Sequence, residues 1–195
     1  MSDTLNNSST SSLRNQLLIA TPTLADGIFK SSVTYICEHN EEGAMGVMIN
    51  RPSDLTINDI LEDIDSGSDV DLNAHPVMLG GPVGVERGFV LHQVASTEQE
   101  WTSTLFVTDE VALTGSKDIL QALGEGQGPE NFLMVLGYAG WSAGQLEQEL
   151  LDNAWLTSPA TTEILFDTPY HLRAAKAARQ LGIDLSALAT HAGNA

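Results

Sequence analysis

Residues Asn131–Tyr138 read NFLMVLGY, and the chain runs on through Ala139–Gly144, AGWSAG, into Gln145–Leu151, QLEQELL. An unbroken apolar run of strand length, bounded by turn residues, marks a strand buried on both faces. Gly140 and Trp141 lead out of it, and Leu146, Leu150 and Leu151 then recur at helical spacing, so a helix follows. A central strand feeding a helix places this segment in the middle of an α/β-containing domain.

Upstream, Gln16–Ala20 (QLLIA) reads as a first buried strand, and Pro22, Asp26 and Gly27 mark a loop after it. Val33–Glu38 (VTYICE) and Ala44–Asn50 (AMGVMIN) flank His39–Gly43 and predict a hairpin with a longer loop. Thr56, with Asp59 three residues on, opens a short helix striped by Ile57, Ile60, Leu61 and Ile64. Val77–Leu79, Arg87–Val94 and Thr104–Thr108 are further strands, and Ser116 caps a helix that ends at Gly124. Downstream, Glu163–Phe166 predicts a last strand. A final helix begins at Thr168-Pro169 and stops at Gly182. Strands outnumber helices and the first half is hairpin-like, which favours an α+β mixed sheet over a doubly wound parallel one.

Composition narrows the function classes. The 195 residues suit one domain, expected over 13–195 behind a disordered Ser/Asn/Thr-rich lead at 1–12. Eight Lys and Arg against 26 Asp and Glu give a formal net charge of −18, which opposes direct nucleic-acid binding and docking on an anionic membrane. Of the cations, only Arg173, Lys176 and Arg179 cluster, along one face of the last helix, where a solvated surface is expected. Met1–Ser12 lacks the basic and apolar stretches of a secretory signal, and no window reaches ~18 apolar residues, so a cytoplasmic protein is expected. Cys37 is the only cysteine and sits in an apolar strand, which predicts an inert buried thiol. The histidines show no zinc-ligand spacing, and the acid-rich stretch Asp54–Asp71 departs from the calcium-loop pattern, so no metal is expected.

Two readings compete at Gly140-Trp141-Ser142-Ala143-Gly144. The stretch fits G-x-S-x-G between strand and helix, the setting of a nucleophile elbow, with Asp152, Asp167, His171 and His191 downstream to complete a serine hydrolase. Ser142 and Gln145 equally form an S-x-x-Q capping box, which needs no catalysis. The glycine turn at Gly137 and Gly140, and another at Gly80-Gly81-Pro82, offer backbone N–H groups to a small anionic ligand or chain-terminal carboxylate, or simply allow close packing. Nucleotide fingerprints are missing, and no cofactor is expected.

With those turns the chain resembles the bacterial AlgH/YqgE family. The resemblance rests on Gly80-Gly81-Pro82-Val83, Gly137–Trp141, Gly144–Glu147, Cys37-Glu38-His39, Asn50-Arg51-Pro52, Asn153-Ala154-Trp155 and Leu181–Asp184, and it covers about residues 14 to 195. It implies one cytosolic bacterial α+β domain whose mixed, bent sheet approaches a pseudo-barrel. It implies no particular activity. Some relatives carry the label of transcriptional regulator, which fits the charge poorly and makes any regulation indirect, through a ligand or protein partner. The family often has a tryptophan in the last helix, where this chain has Leu172 or Ala174.

The resulting expectation is a non-enzymatic binding domain. Its ligand-binding pocket would be drawn from Asn50, Arg51, Gly80, Gly81, Pro82, Gly137, Gly140 and Trp141, with Arg51 facing either the ligand or an acid such as Asp54 or Glu38. The alternatives are a hydrolase built on Ser142 and an acidic scaffold for a basic protein.

Overall fold

A computed structural model of the protein describes residues 12–24, 27–64, 69–95 and 100–185. The expected lead at 1–12 lies outside these residues except for Ser12, whose hydroxyl donates to the His39 carbonyl. The acid-rich loop is described only in part, since 65–68 also lie outside.

The chain forms β1 (Gln16–Ala20), β2 (Val33–Asn40), β3 (Gly43–Met48), β4 (Pro52–Thr56), α1 (Ile57–Asp63), β5 (Pro76–Leu79), β6 (Val83–Gln93), β7 (Thr104–Phe106) and β8 (Val111–Thr114). It continues through α2 (Lys117–Gly124), β9 (Phe132–Ser142), α3 (Gln145–Leu151), β10 (Trp155–Pro159) and α4 (Arg173–Gln180). The strands make one curled α+β sheet in the order β10-β1-β2-β3-β9-β6-β8-β7. The sheet is mixed, because β5 runs parallel to β9 while the other pairs are antiparallel.

β9 is the centre of the molecule, as its apolar run demands. It pairs with β3, β5 and β6, and it contributes to three packed clusters. Val135 joins Leu17, Tyr35 and Val47 inside the curl, under a cover that includes Ile164, Leu165, Ala177 and Ala178. Met134 joins Val90 beneath α1 and α2. Ala139 and Trp141 join Leu18, Ile36 and Leu146 beneath α3. Adjacent strand residues serve different clusters because successive side chains point to opposite faces.

The curl is tightened by a bulge at Cys37, between the paired Ile36 and Glu38, and by a register shift in β6 between Val83 and Gly88. Arg14 helps close it: Nε donates to the Val107 carbonyl at 2.9 Å and Nη2 to that of Phe106, tying the start of β1 to the end of β7. Thr56 and Asp59 cap α1 reciprocally, which is why so short a helix holds.

Four expectations need correction. The β2–β3 hairpin turns on Glu41 and Glu42 alone rather than on a longer loop, because pairing continues to Asn40 and Gly43. Glu163–Phe166 is not a strand but part of a π-helical turn over Glu163–Asp167, with Ile164 and Leu165 buried side by side. The Ser116 hydroxyl makes no cap bond to α2 and instead donates to the Thr102 carbonyl and to Asp118. Arg173 does not lie on a solvated face. It is 3% exposed and donates to the Ile49 and Thr168 carbonyls, and burial pushes its pKa down to about 10. No helix among the described residues is long and apolar enough to cross a membrane.

Candidate functional site

The structure brings Gly80, Gly81 and Gly137 together and uses the polar groups of Gly80 internally. Gly80 N–H donates to the Leu136 carbonyl at 2.7 Å, and its own carbonyl accepts from Met48 N–H at 2.8 Å. A Cβ on Gly81 would lie 2.1 Å from the Tyr138 carbonyl carbon, and one on Gly80 would lie 2.3 Å from the Gly137 oxygen. The glycines are there so that two backbones can touch. Pro82 is exposed beside this crossing, and Gly140, also exposed, pairs with Met45.

Asn50 and Arg51 adjoin this crossing through the backbone, the Arg51 carbonyl accepting from Leu79 N–H at 2.7 Å, but their side chains serve another segment. Asn50 Oδ1 accepts from Val33 N–H at 2.7 Å and Nδ2 donates to the Ser31 carbonyl at 2.9 Å, while Arg51 Nη1 donates to the Ile28 carbonyl. Among the described residues the Lys or Arg paired with a carboxylate is Lys176, with Glu163, so Arg51 is matched to a backbone oxygen rather than to Asp54 or Glu38. Trp141 lines a shallow cavity of about 220 Å³ with Glu38, Asn40, Glu42, Gly43, Ala44 and Met45.

Trp141 is buried against α3. Its indole N–H and that of Trp155 both donate to Glu149 Oε2, at 2.9 and 2.8 Å. His39 fastens the same helix: Nδ1 accepts from Leu13 N–H at 2.9 Å, so the proton on Nε2 goes to Glu147 Oε1 at 2.8 Å. Ser142 is exposed at the last position of β9, and the residue before α3 is Gly144 in the left-handed region. Half of the expected capping box is present, with Ser142 N–H donating to Gln145 Oε1 at 3.0 Å. The Ser142 hydroxyl bonds the same oxygen at 3.2 Å rather than the Gln145 backbone. Among the described residues no histidine or aspartate hydrogen-bonds Ser142, and it lacks the positive φ of an elbow. His191 lies outside them.

Cys37 is wholly buried, and burial pushes its thiol far above the ordinary value.

A site that the motifs did not point to lies at the other end of β9. A cavity of about 340 Å³ opens between the end of β6 (His92, Gln93), β7 (Thr104, Phe106), Trp101 and the segment Gly128–Asn131. His92 is buried and makes its inner wall. Its Nδ1 faces the Gln93 carbonyl at 3.3 Å and its Nε2 the Thr114 hydroxyl at 2.9 Å, and Thr114 continues to Thr104 at 2.8 Å. Burial lowers the His92 pKa, against a smaller opposite effect from the Gln93 carbonyl, so the ring is neutral. Asn131 Nδ2 donates to Gln93 Oε1 at 2.9 Å. Phe106 stands at the rim, 53% exposed. The one trace of this site in the sequence is a histidine inside the apolar run Phe89–Val94.

The architecture thus defines an α+β domain with a strongly curled, largely antiparallel sheet and helices on its faces. The model of the AlgH-like family matches residues 17–186, and the chain belongs to that family. A UPF0301 protein of Thioalkalivibrio sulfidiphilus is 52% identical over 95% of this chain and 98% of its own. One from Colwellia psychrerythraea is 48% identical over 95% and 100%. The solution structure of the AlgH protein from Pseudomonas aeruginosa matches with a TM-score of 0.78 at 47% identity, over 98% of this chain and 100% of that one. A crystal structure of a Corynebacterium diphtheriae protein shares the fold at 19% identity and a TM-score of 0.69, over 89% and 90% of the two chains.

Proposed function

We propose that the protein is a non-enzymatic ligand-binding domain whose ligand occupies the cavity beside His92, and that any regulatory effect is exerted indirectly through the ligand-bound state. The observation that carries this is a concave site of about 340 Å³ that sets two aromatic side chains beside a few fixed polar groups, the usual make-up of a small-molecule pocket. Binding rather than catalysis is favoured because His92 has both ring nitrogens engaged and the Ser142 hydroxyl is held by Gln145. Native mass spectrometry of the freshly purified full chain tests it. A small-molecule adduct is expected, reduced in Phe106→Ala. The reading fails if the protein carries no adduct and a metabolite library gives no thermal shift that depends on Phe106.

A further inference from the structure

Resting on that reading, we infer that the cavity takes a planar heteroaromatic compound, uncharged or cationic, that presents a hydrogen-bond donor beside an acceptor on one edge. The anion suggested by the glycine turns does not fit here.

Shape comes first. Trp101 packs one side on the cluster beneath α1 and α2 and still lines the cavity, while Phe106 offers an exposed ring at the rim. Two aromatic side chains lining a space at the small end of the ligand-pocket range favour one flat ring system.

The edge follows from the amide pair. Gln93 N–H donates to the Asn131 carbonyl at 3.0 Å, which fixes the two residues side by side. The Asn131 side chain donates to that of Gln93, so the pair keeps one free NH₂ and one free carbonyl oxygen on the cavity wall. Exchanging O and N in both amides leaves the same inventory, one donor and one acceptor. A carboxamide or amino-heterocycle edge matches it.

Charge excludes anions. Glu130 is the acidic side chain in the lining, His92 is neutral, and the sequence has no Lys or Arg between Arg87 and Lys117. Arg14 reaches the Phe106 carbonyl but does not line the cavity. An anion there would meet Glu130 without a counter-charge, in a protein of net charge −18, whereas a cation would be attracted to the ring faces and to Glu130.

The test is an NMR titration of the ¹⁵N-labelled full chain with nicotinamide, adenine and benzoate. Nicotinamide or adenine should shift the Trp101 indole N–H together with the Gln93 and Asn131 side-chain amides, and benzoate should shift none of them. Asn131→Ala and Phe106→Ala, both at exposed positions, should each weaken binding about fivefold or more with the remaining spectrum unchanged. Equal or tighter binding of benzoate would overturn the ligand class while leaving a binding cavity. Shifts at Trp101 without the amides would overturn the edge contact. Silence at all three residues with all three probes would overturn both this inference and the ligand-binding reading beneath it.

Discussion

The two ends of β9 use similar chemistry to opposite effect. At its C-terminal end, Trp141, Trp155, His39, Glu147 and Glu149 satisfy one another and bind α3 to the sheet. At its N-terminal end, Trp101, Phe106, His92, Gln93 and Asn131 surround open space, and the Gln93–Asn131 pair keeps unused hydrogen-bonding capacity. The recognisable motifs, GGPV and GYAGW with its GQLE extension, belong to the closed end. Conspicuous tryptophans and acids there fasten α3, and the end built from unremarkable residues holds the larger of the two cavities, about 340 against 220 Å³.

The sharpest way to break this comparison is at the closed end. Gly81→Ala places a Cβ against the Tyr138 backbone, where no side chain can move aside, and should cost about 4 kcal/mol or more or prevent folding. Gly140→Ala meets only the Tyr138 ring edge at 3.5 Å and should change stability by less than about 1 kcal/mol. Urea unfolding of the pair separates glycines needed for contact from a glycine that is merely nearby. If both variants were neutral, the backbone crossing would not be the reason for Gly80-Gly81.

Glu149 comes next. Glu149→Ala leaves the indole N–H groups of two buried tryptophans without their acceptor and should cost about 2–4 kcal/mol, while Glu149→Gln, which keeps a carbonyl oxygen, should cost less. Thermal unfolding followed by tryptophan fluorescence measures both. Equal losses would mean that packing rather than hydrogen bonding holds α3.

How much of this was legible follows the same division. β1 was readable to the residue, and the β2–β3 pairing, the Thr56 start of α1 and the central place of β9 were readable as elements, because each is a local pattern of apolar runs and turn residues. β10, Trp155–Pro159, was missed because its Thr, Ser and Pro hide a strand that exists only through pairing with β1. Glu163–Phe166 was misread because a four-residue apolar run does not distinguish a strand from a turn of helix when both bury adjacent residues. Arg173 looked like a surface cation, and only the fold brings the Ile49 carbonyl to it. The neighbourhood of Arg51 and the glycine turn was legible, since the Arg51 carbonyl accepts from Leu79 N–H at 2.7 Å beside Gly80, but the turn of the Arg51 side chain to Ile28 was not. The cavity residues come from four separate segments, and no spacing rule links them.

A smaller effect is expected from acid. The backbone N–H of Glu147, ahead of its hydrogen bond from His39, holds this carboxyl below its ordinary 4.5. A depressed carboxylate pKa contributes stability that is present above the unfolded value and is lost as pH falls through the folded one. The wild type should therefore lose stability on acidification below about pH 4.5 more steeply than Glu147→Gln. Parallel profiles in urea melts would remove Glu147 from the fastening of α3.

The smallest effect should come from the residue with the most suggestive motif. Ser142 stands in G-x-S-x-G, but its hydroxyl is exposed and shares Gln145 Oε1 with its own backbone N–H. Removing it leaves the backbone bond, so Ser142→Ala should cost less than about 0.5 kcal/mol, below the usual penalty for a lost N-cap. Gln145→Ala removes the acceptor for both groups and should cost more than Ser142→Ala, reversing the order a catalytic serine would show in any activity assay. A fluorophosphonate probe should leave the wild type unlabelled. Labelling at Ser142, lost in the alanine variant, would mean that the closed end of β9 opens in solution and carries chemistry after all, and the contrast between its two ends would fall.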